Sequence, residues 1–131
     1  MLPLSKEIID GLRPGPDADA LIAHYVMGWE RGTHGGIRAW LDPNNLDCFS
    51  KPIRRCWDHD WRASQGPSIL LFTVASAVEK KGCCFSIDAE FGTYHIVVRD
   101  SVHSGRASST SIQFAFMKAA LRWALEKRDG S

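Results

Sequence analysis

Residues 83–99 read C-C-F-S-I-D-A-E-F-G-T-Y-H-I-V-V-R. Cys83, Phe85 and Ile87 alternate with Cys84, Ser86 and Asp88. Beyond a turn at Glu90-Phe91-Gly92, Tyr94, Ile96 and Val98 alternate with His95, Val97 and Arg99. A period of two is the strand signature, because successive side chains leave opposite faces of a pleated backbone. The stretch therefore predicts an antiparallel hairpin. Asp100-Ser101 turns the chain again, and residues 102–108 form a weaker third strand. It is polar and holds Gly105, as an edge strand does.

The flanks of this meander change period. Residues 68–81 carry Leu71, Val74, Ala75 and Val78 at helical spacing, with Pro67 at the start and Gly82 just past the end. Residues 111–127 form a second helix, capped by Ser109 or Thr110. Its apolar face is wide, including Ile112, Phe114, Phe116, Met117, Leu121 and Trp123, and leaves only Lys118, Arg122 and Glu126 as a polar stripe. Such a helix must be covered on most sides, first of all by the sheet. A second copy of the chain is one way to complete that cover, so a homodimer is compatible with the pattern.

Further upstream, Ser5 caps a short helical turn over residues 6–12. Gly11, Pro14, Gly15 and Pro16 then break the chain. Asp17 is read as the N-cap of a helix over residues 18–27. Leu21, Ile22, Tyr25, Val26 and Trp29 give that helix one apolar side, and Gly28 stops it. Residues 31–36 are a glycine-containing loop, 37–41 a short strand, and Asp42-Pro43-Asn44-Asn45 a turn. Ser50 reads as another N-cap, because Ile53, Trp57 and Trp61 follow at i, i+4 and i+8 on one helical face. The predicted class is α+β: a small antiparallel sheet, a three-stranded meander plus one short strand, packed with helices in a sandwich.

The totals set bounds. At 131 residues the chain is one domain in size and can bury a core without staples. Sixteen basic and fifteen acidic residues give a net charge of +1, with no global attraction to nucleic acid or to anionic membrane. No stretch approaches the roughly 20 apolar residues of a membrane span. The N-terminus lacks the apolar core of a secretion signal, so the expected setting is cytoplasmic, with the four cysteines reduced.

Four stretches carry a family likeness: A-L-I-A-H-Y-V-M-G-W (20–29), F-S-K-P-I-R-R-C-W (49–57), C-F-S-I-D-A-E-F-G-T-Y-H-I-V-V-R-D (84–100) and A-S-S-T-S-I-Q-F-A-F-M-K-A-A-L (107–121). In order and spacing they resemble the phage-encoded ABA sandwich domain proteins of tailed phages and prophages. The resemblance covers most of the chain as a single ABA-sandwich-like domain over 1–131, with a lead-in at 1–16. Residues 58–67 look inserted relative to the family, and Phe114-Ala115-Phe116-Met117 replaces a Leu-Ala-Ile-Cys-type run. The resemblance implies a sandwich architecture and the cytoplasm of an infected bacterial host. It implies no established activity, so no catalytic residue is carried over, and it brings no cofactor.

Three residue sets have chemistry to offer. Ser86, Asp88 and His95 have the types of a hydrolase triad if the hairpin pivots near Phe91, but no nucleophile elbow accompanies them, and the polar face of a half-exposed sheet explains them as well. Cys48, Cys56, His59, Cys83 and Cys84 offer metal-ligand types without the two close pairs that zinc prefers. Gly32-Thr33-His34-Gly35-Gly36 lacks the Lys-Ser/Thr of a phosphate loop. The best surface candidates are Trp40, Arg54, Arg55, Trp61 and Arg62; Trp57, in the same stretch, is read as packing into the core. Tryptophan and arginine dominate binding hot spots and also stack on single-stranded bases. The expected function is non-catalytic binding to a host or phage macromolecule, counter-defence being one form. The alternative is a single-stranded nucleic-acid module, and a hydrolase or metal enzyme stands behind both.

Overall fold

A computed structural model describes residues 3–65 and 68–130. The chain runs through α1 (Lys6–Asp10), α2 (Pro16–Leu21), β1 (Glu30–His34), β2 (Ile37–Leu46), β3 (Pro52–Trp57), α3 (Ser68–Lys80), β4 (Cys84–Glu90), β5 (Thr93–Arg99), β6 (Ser104–Ser109) and α4 (Ile112–Asp129). Two antiparallel three-stranded sheets, β1-β2-β3 and β4-β5-β6, accompany the helices, so the class is α+β.

The second sheet and its neighbours follow the sequence pattern. Cys84 pairs with Arg99 and each residue pairs in step down to Glu90 with Thr93. Phe91 (φ 50°) and Gly92 (φ 80°) make the two-residue turn. Ser111, rather than Ser109 or Thr110, caps α4, its hydroxyl accepting from the Phe114 N–H at 3.2 Å. α4 lies along β5 and β6 on one side and meets α1, α3 and the end of α2 on the other. Phe116, Met117, Leu121 and Trp123 are buried between them. The apolar surround of α4 is thus covered within its own chain, which removes that argument for a homodimer. β6 approaches α4 closely enough that a Cβ on Gly105 would sit 2.1 Å from the Ala119 carbonyl oxygen. Arg128 continues α4 and donates to the Leu4 carbonyl at 2.8 Å.

The N-terminal helices need two corrections. α2 begins at Pro16 with Gly15 as its cap, because proline's fixed φ suits a first helical turn; Asp17 lies inside that turn. The helix then widens into a π turn over Ile22–Val26, in which the Met27 N–H reaches back to the Ile22 carbonyl. Gly28 ends it at φ 75°, as its lack of a Cβ permits, and the Lys81 ammonium donates to the free Val26 carbonyl.

The larger correction concerns residues 30–65. The expected loop at 31–36 is a hairpin, β1 pairing with β2 from Glu30–Leu41 to His34–Ile37. The expected helix capped by Ser50 is strand β3, with Trp40 facing Cys56 and Ala39 facing Trp57. Ser50 is a loop residue at φ 60°. Residues 58–65 form a strap, with a 3-10 turn at Asp58–Asp60, that crosses the start of α2. Ser64 N and Oγ each donate to the Asp19 carboxylate at 2.6 Å, and the Trp61 indole donates to the Asp19 carbonyl at 2.7 Å. Gly66 and Pro67, the latter expected at the start of the next helix, lie outside the described residues. No helix among the described residues is long and apolar enough to cross a membrane.

Candidate functional site

The first sheet has an inner and an outer face. On the inner side Trp40 is 1% exposed, and Trp61 and Trp29 stand edge to face with ring centroids 4.9 Å apart. These indoles belong to the core that joins the sheet to α2. Trp40 and Trp61 were expected at the surface; burial of their large apolar area overrides that reading. Beside them lies a cavity of about 250 Å³, lined by Asp19, Arg31, Trp40, Asp58, Trp61, Arg62 and neighbours. Two of its charges, Arg31 and Asp19, have partners. Arg31 sits 4.8 Å above the Trp40 ring and 3.3 Å from Asp58, and Ser64 and Gln65 saturate Asp19.

On the outer face the cross-strand row is Gly32, Ala39 and Trp57. Ala39 is fully buried although it lies on that face, so its neighbours cover it. Trp57 does so directly, half-buried, with the Arg54 guanidinium 4.1 Å above its ring and the His34 ring 5.8 Å away at a steep angle. Ile37, on the same face, is 53% exposed. Just past β2, the Asp47 carboxylate accepts from the Phe49 and Lys51 N–H groups and fixes a loop that holds Phe49 78% exposed. Those bonds also keep the Asp47 carboxyl below its ordinary range.

Of the five expected partner residues, Arg54 lies on this outer face and Arg62 is exposed on the strap. Arg55 turns the other way, at a register shift in the strand pairing, and its guanidinium bonds Asp42 at 2.9 Å. Burial raises the Asp42 pKa, but the hydrogen bonds from Asn45, Arg55 and the Asn44 N–H outweigh it and the net direction is down. The structure does not bring the five together. Trp57 was favoured as a core residue in the sequence; its place between Arg54 and His34 was hidden by a spacing that mimicked a helix.

The catalytic readings meet the geometry as follows. His95 pairs across strands with Asp88 on one side and Ser108 on the other, and its Nδ1 shares a 2.7 Å hydrogen bond with Ser108 Oγ. Ser86 faces Val97 instead. The row Asp88-His95-Ser108 stands on an exposed sheet face, open to water. The cysteines are dispersed. Cys48 is exposed in the β2–β3 loop, and Cys83 is buried while Cys84 is exposed. Burial, reinforced by Asp60 and Asp58, pushes the Cys56 thiol up to about 11, so it is protonated at neutral pH. His59 leans on Asp60 at 3.3 Å. Among the described residues no three His, Cys, Asp or Glu side chains gather closely enough to hold a metal ion.

No family model, no curated protein and no solved structure matches the chain, and the resemblance to the ABA sandwich proteins rests on its four quoted motifs.

Proposed function

We propose that this protein is a non-catalytic module that binds another protein through the outer face of the β1-β2-β3 sheet. The observation that carries the reading is Trp57, held half-buried between Arg54 and His34 beside an exposed Ile37. A braced aromatic ring with an arginine stacked on it is the kind of group that anchors protein interfaces, and an open aliphatic side chain adds apolar area to bury. Phe49, set on a loop that its own hydrogen bonds rigidify, extends the same apolar supply. The family resemblance supplies the setting: a phage or prophage protein acting on a host or phage protein in the infected bacterium, with interference in a host defence as one version.

The test compares wild type with an Ile37→Asp/Arg54→Glu double variant in quantitative affinity capture from a lysate of the source bacterium. A defined protein retained by wild type and lost by the folded variant is the expected result. A captured set that ignores both substitutions overturns the reading.

The stacked Trp57–Arg54 pair on an open β surface also favours a second reading, a platform for single-stranded bases. Phosphate binding draws on free cations, and here Arg31, Arg38 and Arg55 lean on aspartates. Fluorescence anisotropy with labelled oligothymidylate and oligouridylate at low salt decides: no binding there ends this reading.

A further inference from the structure

We propose that β4 is a self-pairing edge: two copies of the chain join β4 to β4, antiparallel about a two-fold axis at Ile87, into one six-stranded sheet.

The four sheet edges differ in how they are guarded. β3 starts at Pro52, carries Arg54 and Arg55 and lies beside a register shift. β1 is short and bears Glu30, Arg31 and His34. On β6, α4 packs beneath the strand and the Arg122 guanidinium donates to the Arg106 carbonyl at 2.6 Å. Charge, proline, irregular pairing and side-chain cover are the devices that keep edges apart. β4 has little of this. Cys84–Glu90 pairs with β5 along its full length without a register shift, contains no Lys, Arg or Pro, carries its two charges, Asp88 and Glu90, on the polar face only, and is exposed at every position but Phe85.

The two-residue turn fixes which groups point outward. It makes Glu90–Thr93 the closing hydrogen-bonded pair, so Asp88, Ser86 and Cys84 also spend their N–H and C=O groups on β5. Phe85, Ile87 and Ala89 turn theirs to the open side. A two-fold axis at Ile87 sets Ile87 against Ile87 and Phe85 against Ala89 of the second copy, each pair exchanging two main-chain bonds. The outward groups of these three residues are then satisfied on both strands.

The side chains agree with that register. On the apolar face, Ile87, 41% exposed in the single chain, meets its own copy. Phe85, already edge-to-face with Phe116, receives the small Ala89 beside it. On the polar face Ser86 stands opposite Asp88 and Cys84 opposite Glu90, so no like charges face each other. Arg99, paired with Cys84 inside the sheet, comes within two strands of Glu90 from the second copy. The same register carries Phe91, 98% exposed, past the strand end toward Gly82 and Cys83 of the other chain. The occupant is therefore a second copy of this chain. The contact is small and sits at the weak end of specific association.

Sedimentation velocity on the full chain, from low micromolar to the highest attainable concentration, reads the proposal. The wild type should pass from monomer to dimer mass. Ile87→Lys, which opposes two ammonium groups, and Ala89→Pro, which removes an outward N–H while leaving the bonds from β4 to β5 in place, should each weaken dimerisation by a factor of at least about ten with unchanged circular dichroism. In a Cys48→Ser/Cys84→Ser background, Ile87→Cys should form a disulfide dimer on mild oxidation, because facing Cα atoms in such a pair lie about 5.5 Å apart. Ala89→Cys in the same background should not. A wild type that stays monomeric throughout, a dimer that tolerates both substitutions, or equal cross-linking at the two positions overturns the proposal. None of these outcomes depends on the outer face of the first sheet.

Discussion

Both sheets are antiparallel meanders of three strands, yet they are held in different ways. α4 runs beneath β5 and β6, and its buried side chains, Phe116, Leu121 and Trp123 among them, form the core with Ile96 and Val98. Among the described residues, no helix packs along the first sheet as α4 packs along the second. It is fastened at one place, where Trp40 enters the cluster of Trp29 and Trp61 and the strap 58–65 closes over α2. The second sheet is therefore a framework, whereas the first is an appended platform with one face turned out. Stability in a protein is not uniform, and a sheet held by few buried contacts opens before one held by many.

Truncating the single fastening should have the largest effect. Trp40→Ala should lower unfolding stability by about 3–5 kcal/mol, the usual cost of deleting a fully buried indole. The comparison is broken or kept by where the loss appears. Native-state hydrogen exchange should show amides of β1–β3 losing protection first, while those of β5 hold theirs. Uniform loss across both sheets would mean that the two form one cooperative unit.

The next effect belongs to the second sheet. Gly105 touches the α4 backbone, with the Trp123 nitrogen 2.3 Å from where a Cβ would stand. Backbone on both sides cannot rotate away, so Gly105→Ala should cost about 2–3 kcal/mol by forcing β6 and α4 apart. Gly32, on the first sheet, meets only the Leu41 side chain at 2.7 Å. Gly32→Ala should be far milder, because a leucine can change rotamer. Urea denaturation of the two variants sharpens the contrast; equal costs would remove it.

Acid tests the turns. In each sheet an aspartate ties a corner: Asp42 holds the Asn44 N–H, Asn45 and Arg55, and Asp100 holds the Val102 and His103 N–H groups and the Trp123 indole. The His103 and Val102 N–H groups bring Asp100 down to about 2 from 3.8. A depressed folded-state pKa gives stability that is complete above the unfolded value and is lost as the pH falls through the folded one. The urea midpoint should therefore decline from near pH 4 toward pH 2. Asp100→Asn should flatten part of that decline. An unchanged acid limb in the variant would assign the decline elsewhere, Asp42, Asp47 and Asp129 being the other carboxyls with a lowered pKa.

The same difference explains what the sequence made legible. In 83–99 one face is apolar and one polar, so a period of two stands out, and α4 needs that apolar face. Glu30–His34 contains no Val, Ile, Leu, Phe, Tyr or Trp to mark a buried face, since its sheet is buried through β2 alone. Ile53, Trp57 and Trp61 lie four apart by accident of a register shift and a strap, and read as a helix. Ser50, at φ 60°, has the residue type of an N-cap without the geometry. Which arginines stay at the surface was readable in part; which tryptophans do was not. That depends on which indoles meet α2 and which meets Arg54 and His34, and those are long-range contacts.

The smallest effect concerns the turn of the second sheet, where the framework itself is locally strained. Phe91 takes φ 50° in a two-residue hairpin, a position that favours Asn, Asp or Gly because a Cβ there crowds the following carbonyl. It is also 98% exposed, so no burial offsets the strain within one chain. Phe91→Asn should therefore raise stability by about 0.5–1 kcal/mol in dilute solution, read as a shift of the urea midpoint at constant slope. At concentrations where the chain associates, the same substitution should weaken the dimer, since the ring that reaches toward Gly82 and Cys83 of the second copy is gone. A gain in monomer stability with a loss of association would place the benefit of the strained phenylalanine in the assembly. A gain with no loss would leave Phe91 outside the contact and confine the pairing to Phe85, Ile87 and Ala89.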